Sequence, residues 1–326
     1  MSFHDNLPKL KPYSRSVSII GVGATPFVRV LDDPAVDGLC EPELFAYAAR
    51  DAMKDAGIDG KDVEFFIHGQ AGPGWTSNYA TPNMHVANWI GMKAKGSYHH
   101  SEACATGYVA LETATSKTYD ELAAGAGMAS AYEYLHSKFN PLIGKYMRGA
   151  HFEQRCDGAA AVIVCPTEMA YKYTDHPIEV LGVGHSCLEN GNPRLEMTAT
   201  ANAYRQMKEL TGLTGADMDL FLTNDFYNQS ELLAAEICEY LPAGEGWKYV
   251  RDGRIAFDGD RPVNSNGGRC HYGHAAGASG LHDLYEAVRQ MRGTAGATQV
   301  RHEVKHAMLR GFGGAQNLLN IMLEKK

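Results

Sequence analysis

An α/β fold is predicted by three observations. Short β-branched strands alternate with segments of helical periodicity, the same rhythm returns after Asp175, and glycine clusters mark the turns between them. The first strand is Val17 to Gly23, whose glycines predict a tight turn. Phe45, Ala49, Ala52, Met53 and Ala56 give Glu41 to Ala56 an apolar helical face, with Gly57 as its stop. Val63 to His68 is a second strand, a loop runs from Gly72 to about Pro82, Met84 to Gly91 is a short helix, and Ser97 to Glu102 a strand. Ala103 to Thr118 is apolar and small, as expected of a helix buried on most sides. Ala159 to Cys165 closes the first half as a strand. The second half reads strand Ile178 to Val183, helix Thr198 to Gly212, strand Asp219 to Thr223 and helix Ser230 to Tyr240. A glycine-rich turn at Gly267-Gly268 then leads to helix Leu281 to Arg292, strand Ala307 to Leu309 and strand Asn317 to Leu323. Alternation of this kind implies mainly parallel or mixed sheets covered by helices.

The length of 326 residues suits about two domain-sized units. The boundary is expected near Pro166 to Pro177, giving halves of 1–170 and 171–326. With 44% hydrophobic and 21% charged residues the chain has globular composition. A net charge of -8 argues against nucleic acid or an anionic membrane as partner. No apolar run is long enough to span a bilayer, and the polar stretch Met1 to Pro12 lacks the apolar core of a secretory signal. Seven cysteines, scattered without metal-ligand spacing, point to a reducing cytoplasm and to no metal site.

Cys104 stands apart from the other thiols. It falls in Ser101-Glu102-Ala103-Cys104-Ala105-Thr106-Gly107, where a strand gives way to a small-residue helix. A helix N-terminus lowers a thiol's pKa and favours thiolate, and small neighbours admit a carbonyl. The competing reading is a buried small hydrophobe. Cys40, Cys156, Cys165, Cys187 and Cys238 read as structural, and Cys270 sits in a glycine-rich turn that can line a site. His274 lies between glycines ahead of a helix, so its ring either projects into a cleft or bonds to backbone. Asn224 follows an apolar strand and can hold a water or a carbonyl oxygen, or simply cap a turn. His99-His100 read as space-filling or as a subunit contact.

These segments, taken together, resemble the thiolase superfamily. Ile19-Ile20-Gly21-Val22-Gly23-Ala24-Thr25-Pro26-Phe27 is similar to the opening of sterol-carrier-protein-type thiolases, and Ala103-Cys104-Ala105-Thr106-Gly107 to the superfamily's nucleophile motif. Asp157-Gly158-Ala159-Ala160-Ala161 resembles the strand entry that closes the first half, and Asn224-Asp225-Phe226-Tyr227 falls where thiolases carry Asn-Glu-Ala-Phe or His-Asp-Cys-Phe. Val263-Asn264-Ser265-Asn266-Gly267-Gly268, Gly273-His274-Ala275-Ala276-Gly277-Ala278-Ser279-Gly280 and Gly311-Phe312-Gly313-Gly314 match the later glycine motifs in order. The resemblance implies a thiolase fold of duplicated βαβαβαββ halves in five αβαβα layers, paired as a dimer. It implies acyl transfer on coenzyme A thioesters, with the thioester as substrate rather than a resident cofactor. Cys104 would take the acyl group. His274 would accept its proton and, with Asn224 through a water, stabilise thioester and enolate oxygens. The Cys104 N–H and the terminal loop with Gly313 and Gly314 would form the other oxyanion hole, supported by Asn264.

Two departures stand out. Thiolases place a second acid/base, cysteine or histidine, just before the terminal glycines, where this chain has Met308-Leu309-Arg310-Gly311. Cys270, His271 or Tyr272 would replace it, or a partner would supply it, or the reaction needs no α-proton transfer. The loop insertion that covers the coenzyme is also shortened, to about 132–156. That segment touches a pantetheine or phosphate, forms a lid, or is a solvated loop. An open site of this kind suits relatives that pair with a small zinc-ribbon/OB-fold subunit, such as benzoylsuccinyl-CoA thiolase and phloroglucinol acetyltransferase. The order Cys104, Asn224, His274 is the thiolase order, whereas ketoacyl synthase III-type enzymes, the alternative, use Cys, His, Asn. A retro-aldolase would not need Cys104, and a non-catalytic scaffold subunit would need none of the three.

Overall fold

The computed structural model describes residues 16–28, 34, 36–70, 82–92, 96–100, 142–143, 147–148, 153, 155–187, 196–313 and 317–326. In chain order the elements of the first part are β1 (Val17–Ala24), α1 (Glu41–Ala56), β2 (Phe65–Gly69), α2 (Pro82–Trp89), β3 (Gly96–His100), β4 (Leu142–Ile143), β5 (Met147–Arg148), β6 (Ala160–Pro166) and α3 (Thr167–Ala170). The second part holds β7 (Ile178–Cys187), α4 (Glu196–Thr211), β8 (Leu220–Thr223), α5 (Asn228–Ile237), α6 (Gly246–Arg251), α7 (Arg269–Tyr272), α8 (Ser279–Arg292), β9 (His306–Gly313) and β10 (Asn317–Lys325).

The strands β6-β1-β7-β10-β9-β8 form one six-stranded sheet in that order. Its neighbours run antiparallel except β8 with β9, which are parallel. A second parallel pair, β2 with β3, stands apart from it. Among the described residues the sheet is therefore mixed, with antiparallel pairing dominant rather than parallel. The reason is local: β10 returns alongside β9 after a short connection, and such a return can only be antiparallel.

Glycines on the first strand of each part let a helix lie directly on the sheet. A Cβ at Gly21 would stand 2.3 Å from the Ala52 carbonyl oxygen of α1, and one at Gly23 2.3 Å from that of Ala48. In β7 a Cβ at Gly184 would come within 2.1 Å of the Ala203 carbonyl oxygen of α4. Helix α1 begins with a reciprocal cap, the Cys40 N–H donating to Glu43 Oε2 at 2.8 Å, and ends at Gly57 with φ 66°. Its Asp55 accepts the Val22 N–H at 2.9 Å and pairs with Arg292 at 2.8 Å, which joins α1, β1 and α8.

The larger core lies around α1, β1 and α8, with Ile19, Val22, Phe45, Ala52, Leu284 and Val288 buried together. A second core gathers Met207, Phe221, Leu241, Met308 and Met322 beneath α4 and α5. Helix α8 is buried along most of its length, polar Asp283, Glu286 and Gln290 included.

Several ends differ from the sequence expectation, each for a physical reason. Strand β9 does not stop at Leu309 but runs on to Gly313, because β10 pairs with it throughout, from Glu324 opposite His306 to Asn317 opposite Gly313. Helix α5 stops at Ile237 rather than Tyr240, since Glu239 takes φ 55° and the Tyr240 hydroxyl donates to the Pro262 carbonyl at 2.9 Å. Strand β7 extends to Cys187 through its pairing with β10. The turn after Gly268 contains the short helix α7.

Gly23→Ala is expected to push α1 off β1 and lower the unfolding free energy by about 1–3 kcal/mol, the usual cost of overpacking. A shifted urea midpoint would check this, and an unchanged midpoint would contradict the contact.

Candidate active site

Four segments converge at one end of the sheet: residues 224–227 after β8, α7 with the loop into α8, the end of β9, and residues 153–157. Asn224 continues the β8–β9 ladder, its N–H donating to the Arg310 carbonyl at 3.0 Å. Its Oδ1 accepts the Phe226 N–H at 2.8 Å in an Asx turn, and its Nδ2 donates to the Phe312 carbonyl at 3.2 Å. An amide carries two N–H bonds, so one remains for a ligand oxygen or water. Arg310, buried at 1% exposure, fixes the same residue from below: Nη1 donates to the Asn224 carbonyl at 3.2 Å and Nη2 to Thr200 Oγ1 at 3.1 Å. Arg310, in the Met308-Leu309-Arg310-Gly311 stretch where a second acid/base is expected, thus holds the backbone of Asn224.

The neighbouring Asp225 builds the next piece. Its carboxylate accepts the N–H of Arg269 at 2.7 Å and of Cys270 at 3.1 Å, capping α7. Only glycine fits at 268, where a Cβ would lie 2.3 Å from Asp225 Oδ2 on a backbone with φ 65°. Arg269 then pairs with Asp283 of α8 at 2.5 Å, the two side chains being 1% and 4% exposed. The Tyr272 hydroxyl donates to the other Asp283 oxygen at 3.3 Å. These bonds hold the loop between α7 and α8, which carries His274.

His274 is buried, with Nδ1 2.7 Å from Ser279 Oγ and Nε2 3.7 Å from Glu153 Oε1. Burial pushes its pKa well below the usual histidine value, and the Arg269 and Arg155 guanidinium groups add to this. The ring is therefore neutral. Ser279 also lies 3.1 Å from the Ala275 carbonyl. When its hydroxyl donates there, it accepts from His274 Nδ1–H and Nε2 is a base; when it donates to Nδ1, Nε2–H is a donor.

Of the residues expected to replace the second acid/base, the Cys270 thiol donates to the Asp225 carbonyl at 3.0 Å. Burial first and the Asp225 charge second push its pKa upward, which keeps it a thiol. Tyr272 is occupied with Asp283, and His271 is exposed. Asn264, expected as oxyanion support, is a brace: Oδ1 accepts the Thr223 N–H at 2.8 Å and Nδ2 donates to Glu231 at 2.9 Å. Gly313 is buried at the end of β9. Cys104, Gly314, the helix expected over 103–118 and most of the 132–156 insertion lie outside the described residues, as do the side chains of His99 and His100. Among the described residues no group of three or more His, Cys, Asp or Glu could hold a metal, and no helix is long and apolar enough to cross a membrane.

Sequence reasoning missed Glu153, Ser279, Arg269 and Arg310. Ser279 sits inside the motif already singled out, five residues after His274, and that spacing was the available signal. Glu153 carried only its place just before Asp157-Gly158-Ala159.

Buried donors, a neutral histidine and an amide thus gather at the ends of β8 and β9 of an α/β protein. Comparison with known proteins places it further. The Thiolase C-terminal domain-like family matches residues 183–323. Acetyl-CoA acetyltransferase of Methanothermobacter thermautotrophicus is 26% identical, over 88% of this chain and 93% of that protein. Benzoylsuccinyl-CoA thiolase subunit BbsB of Thauera aromatica is 36% identical, over 48% of this chain and 42% of that protein. Among solved structures, the Ltp2-ChsH2(DUF35) aldolase superposes with TM-score 0.71 at 16% identity, covering 95% of this chain and 97% of that one. The chain is thus similar to thiolases along most of its length, matches their C-terminal family over its second half, and has the thiolase α/β fold.

Asp283→Ala is expected to cost about 3–5 kcal/mol of stability, because it removes the buried carboxylate that pairs with the buried Arg269 guanidinium. Urea denaturation measures this, and a loss under about 1 kcal/mol would show that the pair is not what holds α7 to α8.

Proposed function

We propose that the chain is an acyl-CoA C-acyltransferase that works through a Cys104 acyl-enzyme, by Claisen condensation or the reverse thiolysis. The observation that carries this reading is the neutral, buried His274, whose Ser279 partner permits it to act either as base or as donor at Nε2. In the first half-reaction the Cys104 S–H proton passes to His274 Nε2 and the sulfur bonds to the thioester carbon. The carbon–sulfur bond to coenzyme A then breaks, and the departing thiolate takes the proton back from His274. The carbonyl oxygen would be held by the Cys104 N–H and the loop with Gly313 and Gly314, the enolate oxygen by His274 and Asn224. The substrates are acyl-CoA thioesters, and the setting is the cytoplasm.

Two kinds of partner accompany this reading. A second copy of the chain would cover the exposed apolar residues Phe65, Ile67 and Met84, which are 58%, 49% and 62% exposed on β2 and α2. Sedimentation at the mass of two chains checks this, and a monomer at micromolar concentration contradicts it. A small zinc-ribbon/OB-fold subunit is the second. It is supported by the shortened insertion, by the name of BbsB as a subunit, and by the DUF35 component named in the aldolase neighbour.

Intact mass spectrometry after mixing with acetyl-, succinyl-, benzoyl- or malonyl-CoA tests the reaction. A gain of one acyl group is expected, absent in Cys104→Ala. His274→Ala is expected to acylate roughly 10²–10⁴-fold more slowly. Carbon–carbon cleavage that persists in Cys104→Ala would overturn the acyl-enzyme and favour aldol chemistry. An acetyl adduct formed from malonyl-CoA alone would favour the ketoacyl synthase III-like reaction, and no adduct from any of the four would point to an absent partner subunit or to a scaffold subunit, which a co-purifying small zinc protein would distinguish.

A further inference from the structure

We infer that Glu153 is the second acid/base of the site, moving the α-proton of the thioester that attacks the acyl-enzyme. This deepens the acyl-transfer reading above and rests on it. The stretch before the terminal glycines reads Met308-Leu309-Arg310-Gly311, none of them a proton carrier at neutral pH, and its one ionisable residue, Arg310, is buried and bonded to Asn224 and Thr200. A proton carrier must therefore come from elsewhere in the cleft.

Glu153 has the placement for it. Its side chain is 5% exposed, and Oε1 lies 3.7 Å from His274 Nε2, beyond hydrogen-bond distance but across a gap that a substrate oxygen or carbon can border. Its other oxygen, Oε2, is buried and makes no hydrogen bond to any described residue. A buried carboxyl oxygen without a donor is costly in a resting protein, and such groups call for a ligand or a proton. The backbone around it is held on both sides. The Glu153 N–H donates to the Phe226 carbonyl at 3.0 Å, in the segment that carries Asn224. Cys156 N–H donates to the His274 carbonyl at 3.2 Å, and Arg155 bridges to His274. The carboxyl is thus stapled between the two segments that carry the other site residues.

The groups facing Glu153 are Arg155 from its own segment, Arg269 and Cys270 from α7, Asp225 from the end of β8, and His274. Burial raises its pKa most and Asp225 raises it further, against the lowering by Arg269 and Arg155, and the result is about 7. A carboxyl poised there is ready as acid or as base at neutral pH.

In condensation the Glu153 carboxylate takes the α-proton: the C–H bond breaks, an O–H bond forms, and the electron pair moves into the thioester as an enolate. His274 Nε2–H donates to the enolate oxygen. The enolate carbon bonds to the acyl carbon on Cys104, the carbon–sulfur bond breaks, and the released Cys104 thiolate takes up the proton held by Glu153, which restores the thiol and the carboxylate. In cleavage the Glu153 acid gives its proton to the departing enolate carbon.

Deuterium uptake from D₂O into the α-positions of acetyl-CoA and succinyl-CoA, followed by NMR, tests this beside Cys104 acylation by intact mass. Glu153→Gln is expected to slow exchange by roughly 10²–10⁴-fold, and to slow it far more than acylation. Wild-type exchange is expected to rise with pH through about 7. That inflection should vanish in Glu153→Gln, and Glu153→Asp should recover part of the rate. Stability carries the same signature. The folded state binds this proton more tightly than the unfolded chain, so wild type loses stability relative to Glu153→Gln as pH rises from 4.5 to about 7. Exchange retained in Glu153→Gln overturns the proposal, and so does an equal loss of acylation and exchange, which would make Glu153 a positioning residue for His274. If wild type acylates but does not exchange, Glu153 falls and the acyl-enzyme stands. If it exchanges without an adduct, Cys104 falls and Glu153 stands, and if it does neither, both fall. Should Glu153→Gln lose its near-ultraviolet circular dichroism, Glu153→Asp carries the comparison.

Discussion

The capping of α7 by the Asp225 carboxylate is the contact on which the site depends. Asp225 leaves β8 beside Asn224 and accepts the first two N–H groups of α7. Arg269 of that helix then anchors on Asp283 of α8, and His274 lies in the loop between the two. The sheet edge, the histidine loop and the central helix are joined through two buried carboxylates and one guanidinium. A chain carrying so much buried charge needs each group paired, since an isolated ion in the interior is strongly destabilising. The pairing leaves little freedom in where the loop can sit.

That same buried charge sets the protonation of the site. The imidazole is enclosed by protein and faces Arg269 and Arg155, so a positive ring is disfavoured twice over. Glu153 meets the opposite conditions. Burial and Asp225 favour its neutral form, while the arginines hold the carboxylate within reach. The environment that keeps His274 neutral thus brings Glu153 close to neutral pH. Burial also removes Cys270 from acid–base work, because the negative Asp225 beside it opposes a thiolate.

The glycines of β1 and β7 have a different kind of effect. They remove side chains from one face of two strands, and helices α1 and α4 then lie in backbone contact with the sheet. Close packing here is a steric matter and needs no partner charges. It fixes how closely α1 and α4 approach the sheet.

Much of this was legible from local pattern. The alternation of strands and helices, the apolar face of α1 and the glycine-rich turn ahead of α8 follow from periodicity and backbone preference, which are properties of short windows. The motifs in their order carried the resemblance that implied the thiolase fold. Other features had no local signal. An arginine in a strand reads as exposed, yet Arg310 is buried because Thr200 and the Asn224 carbonyl, remote in sequence, meet it there. Asn264 reads as an oxyanion support, and only the structure shows that it braces Thr223 and Glu231. Glu153 reads as one charge in a loop, and its reach toward His274 arises only when residues 153–157 pair with a segment more than a hundred residues away. The sequence by itself determined the elements and the residue types brought to the site. Tertiary structure decided which of them are buried, charged or already bonded, because pKa and hydrogen-bond saturation depend on neighbours in space and not on neighbours in the chain.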